Sequence, residues 1–365
     1  MKKVIALVLV LILALGTFTA CGPSKEATKT ENPLIVGFLY LGPIGDGGFT
    51  YAHDQGRLYL EDYFKGAVKT LYQESIPETV QDVSTAAKNM IDQGAKVIFT
   101  TSFGFMDATE ALAKEYPDVI FMHFSGYKMN DTNFGNYFGA MEEARYLSGI
   151  VAGMKTTTNK IGFVAAFPYT ELLIGINAFT LGVQSVNKDA TVSVVWTNSW
   201  FDPAKEKEAA IALLDQGCDV IAQHCDTTGP QIAAEERGAF AIGYNSDSSA
   251  AAPKAFMTAP VWNHGVYYVA QIQKVIDGTW KPESYYGNMA DGYIGLLPLT
   301  DVAPAGAKEK VAEIQAKIIA GQFPIFTGPI YDQSGKEVVP AGKSLTREEI
   351  WKMDYLVKGV QGSLK

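Results

Sequence analysis

From residue 34 onward the chain alternates short apolar runs with longer stretches in which apolar residues return every three or four positions. Runs of the first kind predict buried strands and stretches of the second kind amphipathic helices, so the alternation points to parallel sheets joined by crossover helices. "LIVGFLYL" (34–41) is the first strand. "AAKNMIDQGAKVIFTTSFGF" (86–105) then reads as helix, glycine stop, strand and loop, and "VIFMHFS" (119–125) supplies the next strand. The pattern restarts at "KIGFVAAF" (160–167), continues through "TVSVVWTNS" (191–199), and "EAAIALLDQGCDVIAQHCDTTG" (208–229) repeats helix, glycine stop, strand, loop. The tripeptide DQG at 92–94 recurs at 215–217, 123 residues on, and Val36 aligns with Ile161, 125 residues on. A period this long means duplicated domains rather than a solenoid, with the glycine of each DQG supplying a left-handed helix stop. Open α/β sheets bind ligands beyond the carboxyl ends of their strands. Two facing sheets would therefore line a cleft with loops 42–51, 102–107, 125–131, 167–172, 198–202, 224–230, 244–250 and 259–265.

These breaks divide the chain into a first lobe over 34–155, a second over 156–284 and a return segment over 285–365 that crosses both. The return segment carries a strand in "GYIGLLPL", a helix over "AKEKVAEIQAKIIAGQF" ended by Gly321, and a hairpin in "FTGPIYDQSGKEVVPAG". Near its end Thr346 and Glu349 have the spacing of a capping box.

Ahead of the folded region the pattern changes character. "MKK" precedes "VIALVLVLILALGTFTA" and Cys21, a basic start and an apolar run of export-signal length. "FTAC" resembles a lipobox, which makes Cys21 the expected lipid attachment point, with residues 1–21 as leader and 22–33 as a polar tether. Phe18 departs from the leucine usual there, and an uncleaved anchor is the alternative. The other cysteines, Cys218 and Cys225, lie at opposite ends of one predicted strand, ~20 Å apart and beyond disulfide reach, so two free buried thiols are expected. With 365 residues, 47% hydrophobic, 19% charged and a net charge of −9, the chain is long enough for two domains and too acidic for a nucleic-acid binder.

The opening loop "GPIGDGG" follows a strand but has no lysine and lacks phosphate-loop spacing, and Asp46 would repel an anion. No nucleophile elbow occurs, and no histidine or cysteine spacing suggests a metal site. "HCD" (224–226) has catalytic residue types, yet strand alternation sends His224 and Asp226 to one side and Cys225 to the other. That favours Asp226 as a ligand or loop partner. The loops are instead rich in aromatics beside polar groups: Phe49 and Tyr51 near Asp46, Phe103 and Phe105 about Gly104, Trp200 and Phe201 near Asp202, and Trp262 beside Asn263 and His264. Flat rings facing across a cleft suit a planar heteroaromatic ligand.

Over nearly all of its length past the tether the chain resembles the basic membrane protein family of bacterial lipoproteins, substrate-binding proteins of ABC transporters that include purine-nucleoside receptors. The likeness rests on "GDGGFTYAHDQG", "GNYFGAMEEARYLSGIVAG", "IGFVAAFPYTELLIGINAFTLGVQSVN", "SWFDPAKEKEAA" and "FTGPIYDQSG". It implies an α/β, two-lobed periplasmic-binding-protein fold of type I, each lobe a Rossmann-like parallel sheet flanked by helices, with a hinge between them. It also implies a membrane permease as partner, no cofactor, and a monomer anchored by lipid to the outer face of the cytoplasmic membrane. Family nucleoside binders place an acid and an aromatic at D-x-x-F spacing, here Asp46 and Phe49. A second stacking ring precedes D-P-A-K, here Trp200, and an acid after the DQG strand matches Asp107. Phe103, Asp226 and Asn263 complete the expected site. At the ribose end the pattern departs: Asn245 stands where an aspartate is usual and Trp262 where a lysine is. That replacement favours a free purine base, adenine first, with a purine nucleoside as the alternative. More distant alternatives are an extracellular enzyme acting on nucleosides, with Asp46, Asp226 and His224 as acid and base, and a repressor-like sugar sensor.

Overall fold

The computed structural model describes residues 32–364, and all statements of structure below concern those residues; the leader, Cys21 and most of the tether lie outside them. The first sheet contains β1 (Leu34–Leu39), β2 (Val68–Gln73), β3 (Val97–Thr100), β4 (Ile120–Phe124) and β5 (Phe134–Gly139) in the order 2-1-3-4-5, all parallel. Helices α1 (Phe49–Phe64), α2 (Val80–Asp92) and α3 (Met106–Glu115) make the crossovers. After α4 (Met141–Lys155) the same order repeats in β6 (Lys160–Ala165), β7 (Thr191–Trp196), β8 (Val220–His224), β9 (Phe240–Ile242) and β10 (Phe256–Thr258). Here the crossovers are α5 (Thr170–Val186), α6 (Pro203–Asp215) and α7 (Gly229–Glu236).

The duplication is visible in register. Val36 pairs with Val97 in the first sheet, and Ile161 pairs with Val220 in the second. Both DQG glycines end their helices in the left-handed region, Gly94 at φ 93° and Gly217 at φ 89°, where a side chain would strain the backbone. Cys218 and Cys225 are free and buried.

The chain passes between sheets three times, and the crossing points lie side by side. After β5 it enters α4, which packs along α5 on the second sheet. After β11 (Pro260–Trp262) it returns to the first sheet as α8 (His264–Ile276) against α1, followed by β12 (Ser284–Gly287), parallel to β5. It then crosses back through β13 (Ile294–Leu296), antiparallel to β11. The amide of Ala140 donates to the Gly287 carbonyl over 2.8 Å, and that of Asn263 to Tyr293 over 2.8 Å, tying the passages together. Helix α4, grouped with the first lobe by the sequence reading, thus lies on the second sheet, while α8, grouped with the second lobe, and β12, at the boundary of the second lobe and the return segment, serve the first. A strand-and-helix alternation says where helices are but not to which sheet each returns.

The remaining chain drapes over the second lobe and reaches the first sheet at Phe138 and Tyr286, which Trp351 meets edge-on. Helix α9 (Ala307–Ile319), stopped by Gly321 at φ 67°, packs on α4. A hairpin of β14 (Ile330–Tyr331) and β15 (Glu337–Val339) turns about Asp332. The one-turn helix α10 (Arg347–Ile350) opens with the Thr346–Glu349 capping box, and β16 (Val360–Gln361) adds a parallel strand beside β7. One apolar cluster runs from Phe38 and Phe99 through Tyr137, Trp262 and Tyr293 near the crossings to Phe163 and Phe179. Among the described residues no helix is long and apolar enough to cross a membrane.

Candidate functional site

The carboxyl ends of the two sheets face each other and enclose a cavity of about 410 Å³, counting the space at its mouth. The first lobe contributes Leu41, Phe49, Ser102, Phe103, Phe124, Ser125 and Phe138; the second contributes Glu171, Trp200, His224, Asp226 and Tyr244, with Trp262 at a crossing strand. The lobes touch across this gap. Ser125 Oγ donates to Glu171 Oε2 over 2.8 Å, and Ser246 Oγ donates to the Gly47 carbonyl over 2.6 Å. Gly48 lies so near the opposite lobe that a Cβ there would sit 2.0 Å from the Asp226 carbonyl oxygen.

Each wall residue is presented by a locally explicable device. Phe49 is the first residue of α1, its ring edge-on to Phe124 at 5.6 Å. Phe103 rides on a single 3-10 turn fixed by Glu78, whose carboxylate accepts from the Ser102 hydroxyl and from the Gly104 amide at 3.1 Å. Trp200 lies in the loop before α6. There Asp202 caps the helix by accepting from the Lys205 amide, and Glu206 reaches back to the Asp202 amide over 3.0 Å. The other oxygen of Glu206 accepts from the amide and hydroxyl of Thr227 at 3.0 and 2.6 Å, so one buried carboxylate locks the Trp200 and Asp226 loops together. Trp262 packs edge-on against Phe124 and Phe138, 5.1 Å from each ring.

The polar complement is acidic. Asp226 lines the cavity with no donor to its carboxylate among the described residues. Burial first, and then the nearby Asp46, Glu206, Glu78 and Glu171, push its pKa well above the ordinary carboxylate range. Burial likewise raises Glu171 to about 7. His224 is held neutral, its pKa far below the usual value because burial and then the Arg145 charge oppose protonation. Its Nε2 lies 3.2 Å from the Tyr244 hydroxyl, and the Arg145 guanidinium lies over the Tyr244 ring at 3.8 Å. Alternation along the end of β8 does send His224 and Asp226 to the cavity, while Cys225 joins the apolar interior.

Of the residues expected from sequence, Phe49, Phe103, Trp200, Asp226 and Trp262 come together at the cavity. Four do not line it. Asp46 spends its carboxylate on the start of α1, accepting from the amides of Gly48, Thr50 and Tyr51 at 2.8, 2.8 and 2.9 Å. Asp107 is exposed and ion-paired with Lys128 at 2.8 Å. Asn263 donates to the Gly292 carbonyl over 2.7 Å and borders a separate groove on the first lobe. Asn245 sits behind the wall at φ 71°, its buried amide without a partner among the described residues. Sequence reasoning missed Leu41, Ser102, Phe124, Ser125, Phe138, Glu171 and Tyr244 as wall residues. Ser102, Ser125, Glu171 and Tyr244 lay within the predicted cleft loops but carry no motif.

A model of the Bmp family, described as ABC transporter substrate-binding protein PnrA-like, matches residues 34–326. A protein of Brucella abortus named as purine-binding is 41% identical over 93% of this chain and 96% of its own length. A Haloferax volcanii protein named as a putative ABC transporter glucose-binding protein is 33% identical over 94% of this chain and 83% of its own. Among solved structures, an ABC transporter solute-binding protein of Aeropyrum pernix superposes with a TM-score of 0.69 at 20% identity, covering 82% of this chain and 93% of that one. One from Conexibacter woesei gives 0.66 at 19%, over 79% and 97%. The fold agrees with these solute-binding proteins, and the chain belongs to the Bmp family of PnrA-like ABC transporter substrate-binding proteins.

Proposed function

We propose that this chain is the extracytoplasmic receptor of an ABC importer for a purine base, adenine first, held between Phe49 and Trp200 and released unchanged. The observation that carries the reading is the enclosed cavity itself. Rings from both lobes line it, and one carboxyl group, that of Asp226, has no donor among the described residues. A carboxyl group held protonated by burial accepts from a ring N–H or exocyclic amino group and donates to a ring nitrogen, and stacked rings each add on the order of 1 kcal/mol beyond area burial. The Brucella relative named as purine-binding and a Lactococcus lactis relative named as a nucleoside-binding protein support the same ligand class. In this reading residues 1–21 direct export, Cys21 carries the lipid, a permease receives the ligand, and the receptor acts as a monomer.

A sugar is the second reading, favoured by the name of the Haloferax relative. Calorimetry on protein lacking residues 1–21, against adenine, guanine, hypoxanthine, adenosine, guanosine and glucose, separates the two. Adenine is expected to bind most tightly, and Trp200→Ala to weaken that binding far more than it lowers the melting temperature. Binding of glucose alone would replace the purine reading. Release of free adenine from adenosine on prolonged incubation would instead point to an enzyme.

A further inference from the structure

The cavity is not sealed on every side. Phe103, Ser125, Phe138 and Glu171 line it, and the same four residues line a second, larger hollow of about 1520 Å³, counting the open space at its mouth. The far wall of that hollow comes from β12 and the C-terminal segment: the Arg347 guanidinium lies over the Tyr286 ring at 4.2 Å, and Trp351 meets Phe138 edge-on at 5.4 Å. Between the two spaces runs the interlobe hydrogen bond from Ser125 Oγ to Glu171 Oε2. Ser125 is held for it at φ 67°, a conformation uncommon for a residue with a side chain. A smaller groove meets the cavity at Leu41 and Trp200, so a ligand reaching into it would disturb the stacking ring, and Trp262 with its packed neighbours closes the crossing side.

Resting on the purine reading, we propose that the Ser125–Glu171 bond is a partition that confines the inner cavity to an unsubstituted base, and that the outer hollow is where an N-linked sugar would have to lie. A bare base leaves the bond intact. A nucleoside must part the two side chains, stripping the Glu171 carboxyl of its donor inside a closed cleft, and a buried polar group without its partner is penalised. Ser125 and Glu171 then determine specificity by working against nucleosides rather than for bases.

The test is the ratio of adenosine to adenine dissociation constants, measured by calorimetry for wild type, Ser125→Gly, Glu171→Ala and Glu171→Gln. Glycine suits the left-handed position and cannot donate, so Ser125→Gly keeps the fold while removing the bond. Wild type should favour adenine, Ser125→Gly and Glu171→Ala should each shrink the ratio about tenfold or more, and Glu171→Gln, which keeps an acceptor, should hold the wild-type ratio. A ratio unmoved by Ser125→Gly and Glu171→Ala, with adenine still bound, overturns the partition alone. A wild type that binds neither compound overturns the purine reading and the partition together.

Discussion

Asp226 and Glu171 face the same cavity in different company, since Glu171 accepts a hydroxyl and Asp226 accepts nothing from the described protein. Burial holds the Glu171 pKa near 7, above the ordinary carboxylate value. A folded-state pKa raised in this way means a contribution to stability that is full below about pH 4.5 and lost as pH rises through about 7. Glu171→Gln removes the titration. Its melting temperature without ligand should therefore exceed that of wild type at pH 8, the gap closing as pH falls toward 4.5; a gap that widens on acidification would mean that the carboxylate is stabilised as an anion. The same scale explains why Asp46 does not line the cavity. D-x-x-F spacing placed Asp46 at the ligand, but a carboxylate directly before a helix is also the natural acceptor for that helix's first amides, and three amides take it. Phe49, Phe103, Trp200 and Trp262 were legible because large rings in predicted loops are conspicuous. Ser125 and Glu171 were not, because nothing in one loop's sequence announces a partner 46 residues away.

Among the elements, the repeated helix-glycine-strand units were legible in full, since each is a local statement about periodicity and a left-handed stop. The placement of α4 was not. It joins the second lobe through an unusually close approach to α5, where a Cβ on Gly149 would lie 2.1 Å from the Phe179 carbonyl oxygen and one on Gly182 would lie 2.0 Å from that of Tyr146. These glycines read as ordinary helix residues in the sequence; only the neighbouring backbone shows why a side chain is excluded. Gly182→Ala should cost at least about 2 kcal/mol by forcing the two helices apart, measured by urea unfolding, despite alanine's better helix propensity. A neutral or stabilising result would mean that the helices can separate freely. Strands β12 and β16 escaped sequence reading for a related reason. Two to four residues added at a sheet edge carry too short a pattern to distinguish from loop.

At the scale of the molecule, three neighbouring crossings join the lobes, and in this structure the lobes are in contact across the cavity. Closure depends on one bare position. Gly48 passes against the Asp226 carbonyl so tightly that a methyl group cannot be accommodated, yet this position caps α1 without any side-chain bond. Gly48→Ala therefore blocks their approach, and rings that cannot meet cannot enclose a ligand. Calorimetric titration of adenine into wild type and Gly48→Ala tests the central claim most directly. The account predicts saturable binding to wild type and an affinity at least about tenfold weaker for Gly48→Ala. Equal affinity for both, or no binding of adenine to wild type, would contradict it.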